Sequence, residues 1–278
     1  MRLFWPRRAS REHNFSGHKI SQNLDWLFQW VPSRKRDARP KENESEMRYI
    51  LGMIAGLYVT LGSMAHAQSG PVLVELFTSQ GCSSCPAADA YFLEELAGRD
   101  DVIALALHVD YWDYIGWKDH FADPRFTKRQ KAYARAAGHR TVYTPQMIVA
   151  GQDHVVGTHP NEVAELLRKR AAEVMPVQMT MVRQGENVII TAHTAQPVGP
   201  VMVQLVRYQP LETVMITRGE NAGRTVKYAN IVQSWTQLGA WDGHGQLKLK
   251  AKAPGAMPTV AILQKQGFGP VLAAARVK

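Results

Sequence analysis

The apolar positions of this 278-residue chain change rhythm at Met175-Pro176, and that change limits what the chain can fold into. Between Val72 and Ala172, short apolar runs alternate with stretches of helix-forming residues. Strand-like runs fall at Val72 to Phe77, Val102 to Val109, Gln146 to Val149 and His154 to Val156. That order predicts a sheet layered with helices. Beyond Pro176 the apolar residues recur at every second position: Val177, Met179 and Met181; Val188 and Ile190; Val201, Val203 and Leu205; Val214 and Ile216; Leu247 and Leu249; Val260 and Ile262. A period of two predicts strands with one face buried, arranged as an antiparallel sandwich or part of one, with Trp235 and Trp241 as packing aromatics. Gln184-Gly185-Glu186-Asn187 reads as a hairpin turn between the first two strands.

Helix boundaries in the first half are signalled individually. Asp123-Pro124 supplies a cap and a first-turn proline, Phe126 to Ala137 is rich in helix formers, and Gly138 stands where a left-handed stop belongs. Thr158 and Pro160 open another helix, with Val163, Leu166 and Leu167 on one apolar face.

Residues 1–46 read as a poorly structured extension. They mix Trp5, Trp26 and Trp30 with the charge run Arg34 to Arg39, show no sustained periodicity, and suggest an upstream start codon. Met47-Arg48, the apolar stretch Tyr49 to Leu61 and Ala65-His66-Ala67 have the order of a signal peptide over residues 47–67, with cleavage before Gln68. The stretch is too short and too interrupted by glycine for a membrane span, which takes ~20 apolar residues. A periplasmic or secreted location is therefore expected, with no stable membrane span after cleavage. Of the formal charge of +9, the extension supplies +4, from ten Lys or Arg against six Asp or Glu. The remaining basic residues are scattered among apolar positions, which argues against nucleic-acid binding.

Cys82 and Cys85 are the only cysteines, set as Cys82-Ser83-Ser84-Cys85-Pro86 between a strand-like run and a helix-like one. This spacing places both sulfurs near the first helical turn, where unpaired N–H groups and the helix dipole favour a thiolate. In an oxidising compartment the pair can rest as a disulfide. Cys82 is expected to be the exposed nucleophile and Cys85 the shielded resolving thiol. A structural staple is the alternative, but so small a ring restricts the unfolded chain little. Two metal readings stand beside it: zinc held by the cysteines with His154 and His159, or copper held by the thiols with His108.

The succession of strand, Cys-x-x-Cys-Pro turn, helix, second strand ending His108-Val109-Asp110, inserted helix, and Thr144-Pro145 before a strand resembles the thioredoxin fold. Three segments, Glu75 to Cys82, His108 to Asp113 and Tyr143 to Gln146, also resemble an uncharacterised secreted bacterial family, domain of unknown function 1223, from about Val72 to the C terminus. The resemblance implies a thioredoxin-like core and puts a cis-proline at Pro145, with Thr144 offering backbone groups to an extended substrate segment. It also puts Glu75 nearly where thioredoxins hold a buried acid, as a proton acceptor for Cys85. A paired structural carboxylate is the other reading of Glu75. Trp112 and Trp117 are candidates for an apolar wall beside the thiols, and His108 reads as a hydrogen-bonded buried histidine. The charged loop Arg218 to Arg224 reads as a solvated turn, or as a partner-contact loop.

The expected architecture is thus an α/β thioredoxin-like domain over 68–175 followed by a β-rich, sandwich-like domain over 176–278. The expected function is an exported thiol:disulfide oxidoreductase. Cys82, Cys85 and Glu75 would carry the chemistry, and Thr144, Pro145 and Trp112 would bind substrate. Expected partners are exported protein or peptide thiols and a redox partner protein; no cofactor or metal is expected. The alternatives are a non-enzymatic binding or assembly module, or a copper-binding thiol protein.

Overall fold

The computed structural model describes residues 70–278; the expected extension and signal peptide lie outside the described residues. Strand β1 (Val72–Thr78) leads into helix α1 (Cys85–Tyr91), which continues as a π-helical turn through Leu96. Strand β2 (Val102–His108) and helix α2 (Pro124–Ala136) follow, then β3 (Gln146–Val149), β4 (Asp153–Val156) and helix α3 (Pro160–Ala171). The rest is β: β5 (Gln178–Gln184), β6 (Asn187–His193), β7 (Val201–Met215), β8 (Thr225–Trp241), β9 (Gln246–Lys252), β10 (Thr259–Lys265) and β11 (Val271–Val277).

Local signals set these elements. Asp123 caps α2 by accepting from the Arg125 N–H at 2.8 Å, and Gly138 just past its end has φ 75°. Gly185, at φ 58°, makes the turn between β5 and β6.

The sheets overturn the expected architecture. Eight strands form one mixed sheet in the order β11-β10-β7-β8-β2-β1-β3-β4, and β5-β6-β9 form a second. Strands from both sides of Pro176 share the large sheet, so there is neither a thioredoxin-like α/β domain nor a separate sandwich. β1 and β2 are parallel in register, and β8 joins β2 in parallel where Ala106 pairs with Ile231. Period alone shows which residues face a core but not which strand lies alongside, and the outer edge of β2 needs a partner for its backbone groups. One signal did distinguish the two sheets. Val260 to Leu263 and Val271 to Ala274 are continuous apolar runs and are buried on both faces, as strands covered on both sides must be. In β5, β6 and β9 burial alternates, as in a sheet with one face covered.

β1 divides two cores by parity. Val72, Val74 and Leu76 pack with Ala88, Phe92, Val163 and Leu167 of α1, the π turn and α3. Leu73 and Phe77 point the other way, against Phe126 and Tyr133 of α2 and Val260 and Ile262 of β10. Trp241 is buried in a third cluster, while Trp235 is partly buried on the α2 side.

Candidate functional site

Beyond Thr78 the chain turns through Ser79-Gln80-Gly81 into Cys82, whose N–H donates to the Ser79 carbonyl at 3.2 Å. The Cys85 N–H donates to the Cys82 carbonyl at 3.2 Å, and Cys85 is the first residue of α1. The two sulfurs are joined as a disulfide with Cα atoms 5.4 Å apart. Cys82 is 1% exposed and Cys85 0%. The expectation of an exposed Cys82 is therefore corrected: only Ser83 and Ser84, between the cysteines, reach solvent.

Two loops pack over this turn. A Cβ added at Gly81 would lie 3.1 Å from the Trp112 Cβ and 3.2 Å from its carbonyl oxygen, so glycine is what allows the loop after β2 to close on the cysteines. The loop joining β7 to β8 closes from the other side. Asn221, 1% exposed, donates from Nδ2 to the carbonyls of Gln80 (2.9 Å) and Cys82 (2.8 Å). Gly219, at φ 74°, sits against the Trp117 Cβ, and the Trp117 indole N–H donates to Gln80 Oε1 at 2.8 Å. The loop read as a solvated turn is thus pinned at its centre onto the disulfide. The sequence hid this because Asn221 sits among Arg218, Glu220 and Arg224, whose charges dominate the composition.

Thr144, Pro145 and Trp112 are brought to the cysteines. The Thr144-Pro145 bond is cis. Ser84 Oγ lies 3.4 Å from the Cys82 sulfur and donates to the Thr144 carbonyl at 3.5 Å. The Trp112 indole N–H donates to Thr144 Oγ1 at 2.7 Å, and Tyr114, 81% exposed, stacks on the Trp112 ring.

Glu75 is not brought there. As an odd-numbered residue of β1 it shares the Leu73 and Phe77 face, away from α1. Its carboxylate receives Arg129 Nε at 2.5 Å, Arg129 Nη2 at 2.9 Å and the Tyr133 hydroxyl at 2.6 Å. Gln264 donates to the same hydroxyl, and the guanidinium lies 3.9 Å over the Trp235 ring. The proposed proton acceptor for Cys85 is a buried structural ion pair, and the strand's alternation placed it on the wrong side.

The acid on the cysteine side is Asp89, four residues after Cys85 on α1 and 3% exposed. Its Oδ1 accepts from the Thr78 hydroxyl at 2.8 Å. Burial pushes its carboxyl up to about 7, against a smaller pull from His108 and Thr78. His108, fully buried at the end of β2, meets Asp119 Oδ2 through Nδ1 at 2.6 Å. Asp119 also accepts the N–H groups of Gln80 (2.8 Å) and Phe121 (2.9 Å). Burial works against both charges, yet their contact and these donors win, raising the imidazole and lowering the Asp119 carboxyl. The Tyr228 ring of β8 meets His108 edge to face at 4.9 Å. Among the described residues, the buried side-chain polar atoms without a hydrogen-bond partner are Gln80 Nε2, Asp89 Oδ2, His108 Nε2, Asn221 Oδ1 and Arg207 Nε. All but the last belong to this one site. Asp89 could have been found from its helical spacing to Cys85; nothing in the sequence ties Asp119 or Asn221 to the turn.

The residues of the zinc reading lie elsewhere. His154 is in β4 beside Gln146, and His159 precedes α3 with Glu162 Oε1 at 3.0 Å. Among the described residues no group of three or more His, Cys, Asp or Glu side chains is arranged to hold a metal ion.

Residues 73–264 match the family model described as protein of unknown function DUF1223. The crystal structure of protein AGR_C_4864 from Agrobacterium tumefaciens is similar at 31% identity and a TM-score of 0.65, over 75% of this chain and 94% of that one. A superoxide reductase from Nanoarchaeum equitans overlaps at a TM-score of only 0.17 with 11% identity, over 36% of this chain and 86% of that one. No curated protein matches. The length of the family match and the Agrobacterium relative place this chain in the DUF1223 family.

Proposed function

We propose that the chain carries out thiol–disulfide exchange on exported protein or peptide segments through the Cys82/Cys85 couple. The observation that carries this reading is the junction at Ser84. The exposed hydroxyl between the cysteines links the Cys82 sulfur to the Thr144 carbonyl, and Trp112 braces Thr144 from the side. A backbone segment laid along Thr144-Pro145 would bring its own sulfur beside Cys82, with Tyr114 and Trp112 as an aromatic shelf for its apolar side chains. The orphaned polar atoms around the turn support the same reading, since buried groups without partners mark sites kept for something other than stability.

In the reductive direction the Cys82 thiolate attacks a partner disulfide, forming the Cys82–partner bond and releasing the partner's second sulfur as a thiolate that takes a proton. Cys85, deprotonated, then attacks Cys82 sulfur. The mixed disulfide breaks, its electron pair leaves on the partner sulfur, and the Cys82–Cys85 disulfide forms. A dithiol redox partner re-reduces the couple by the reverse steps. Because both cysteines are buried, the loops carrying Trp112 and Asn221 must part for the attack.

That burial also favours a second reading, a non-enzymatic binding module whose disulfide fixes the turn. A Cys85→Ser variant separates the two. Incubated under native conditions with an oxidised cysteine-containing peptide, it should accumulate a stable Cys82–peptide adduct, read by intact mass. Modification only after denaturation would remove the exchange reading.

A further inference from the structure

The polar cluster behind α1 has more capacity than its contacts use. Asp89 faces Thr78 from β1, His108 from β2, Asp119 from the loop before α2, and Tyr228 from β8. Asp119 is committed: it accepts the His108 Nδ1–H and two backbone N–H groups. Asp89 and His108 are each half committed. Asp89 uses Oδ1 and leaves Oδ2 without a partner, and His108 uses Nδ1 and leaves Nε2 without one.

These two orphans are complementary in one respect. A carboxylate oxygen lacks a donor and an imidazole nitrogen lacks either a donor or an acceptor, so one proton placed on either group leaves the other's state altered. With Asp119 ionised, the set carries one net negative charge whether the proton sits on Asp89 or on His108. Cys85 is the nearest redox group by sequence and helical geometry. Residues four apart on a helix are neighbours on one face, ~6 Å between Cβ atoms, and both lie in α1.

We infer that Asp89, coupled to His108, holds the exchangeable proton that Cys85 gives up and takes back, making it the proton acceptor and donor for the thiol chemistry proposed above. In the resolving step, Cys85–SH and Asp89–COO⁻ become Cys85–S⁻ and Asp89–COOH; the thiolate then displaces the partner from Cys82. On re-reduction of the disulfide the carboxyl returns its proton to the Cys85 sulfur. The chemistry needs no oxidant beyond the partner disulfide and no reductant beyond the dithiol already named. The transfer makes the Asp89, His108 and Asp119 set one unit less negative as Cys85 becomes one unit more negative, and Thr78 fixes which carboxyl oxygen stays free.

This inference rests on the exchange reading, and the test keeps their failures apart. Formation of the peptide adduct by Cys85→Ser depends only on Cys82, so Cys85→Ser/Asp89→Asn should form it as fast as Cys85→Ser alone. The resolving rate, measured on the protein with both cysteines, should rise with pH through an inflection near 7. Asp89→Asn should lose the inflection and slow by roughly 10²-fold at the upper plateau. Thr78→Val keeps the carboxyl but removes a hydrogen bond favouring its ionised form, so its inflection should move to higher pH; it also serves should Asp89→Asn fold poorly. Infrared difference spectra between pH 6 and pH 8 on the oxidised protein should show a buried carboxyl signal that changes on reduction with a phosphine and is missing from Asp89→Asn. An unchanged resolving profile in both variants, or a carboxyl signal insensitive to reduction, would overturn the proton role and leave the exchange reading standing. Failure of Cys85→Ser to form its adduct would remove both.

Discussion

β1 separates two buried polar clusters that differ in how completely they are satisfied. On the α2 side, Glu75, Arg129, Tyr133, Gln204 and Gln264 close on one another, with every buried side-chain polar atom of the group paired and the guanidinium stacked on Trp235. On the α1 side, Asp89, His108, Gln80 and Asn221 each keep an unpaired atom, beside the only disulfide. A closed network lowers the cost of burying its charges and has nothing left to offer a substrate. An open one is less stable and can exchange protons and partners. The contrast teaches that a buried carboxylate in an apolar strand does not by itself mark chemistry; the unpaired atoms around it do.

The largest expected effect breaks the closed side. Arg129→Met leaves the Glu75 carboxylate buried without its cation and should destabilise the protein by ~3–5 kcal/mol, read by denaturant unfolding. It should leave the pH profile of Cys82/Cys85 exchange where it was, because its side chain lies across β1 from α1. A shifted profile would show that the two clusters communicate through the strand and would end the comparison.

The next effect sharpens the open side through pH. Asp89 has a folded carboxyl pushed up to about 7 from 3.8, so between these values the native state binds more protons than the unfolded chain. Stability then falls as pH rises across that window. At ~1.4 kcal/mol per unit, the loss reaches ~4 kcal/mol at most. The raised His108 adds to it, since its contribution is present below the unfolded imidazole value and is lost as pH rises through the folded one. The lowered Asp119 works at the acid end, its contribution disappearing as pH falls below 3.8. Thermal melts should therefore peak on the acid side of neutrality. In Asp89→Asn the decline between pH 4 and 7 should flatten, whereas a slope equal to that of the parent protein would mean that Asp89 is ionised throughout.

The sequence exposed the elements far better than their partners. Asp123-Pro124, Gly138 and Gly185 act locally, within one turn of the residues they constrain, and each did in the fold what its type predicts. Sheet order is not local. β7, β8, β10 and β11 complete the sheet begun by β1 and β2 because an unpaired strand edge must find backbone partners, and nothing in residues 72–109 says that those come from beyond residue 200. The site divides in the same way. Cys82, Cys85, Thr144, Pro145 and Trp112 lie in short motifs and are found together. Glu75 was misplaced by parity within one strand. Asp119 and Asn221 reach the turn only through the tertiary fold, 39 and 141 residues from Gln80.

Asn221 offers the smallest and most selective perturbation. Its amide donates to two carbonyls of the cysteine turn; the Cys82 carbonyl keeps the Cys85 N–H without it, whereas the Gln80 carbonyl does not, so Asn221→Ala should cost ~1–3 kcal/mol for the buried acceptor left unpaired. If the loop between β7 and β8 is what keeps reagents from the disulfide, the same free energy appears in the closed-to-open equilibrium of that loop. A penalty of ~1–2 kcal/mol there corresponds to a roughly 5- to 30-fold faster reaction of Cys82–Cys85 with a phosphine, at a pH and temperature where the protein stays folded. The closed network across β1 should not respond, so Arg129→Met, matched to the same fraction folded, should react at the unmodified rate. Equal acceleration in both variants would mean that reagents reach the sulfurs by global unfolding, and the polar asymmetry across β1 would then have no bearing on access to the couple.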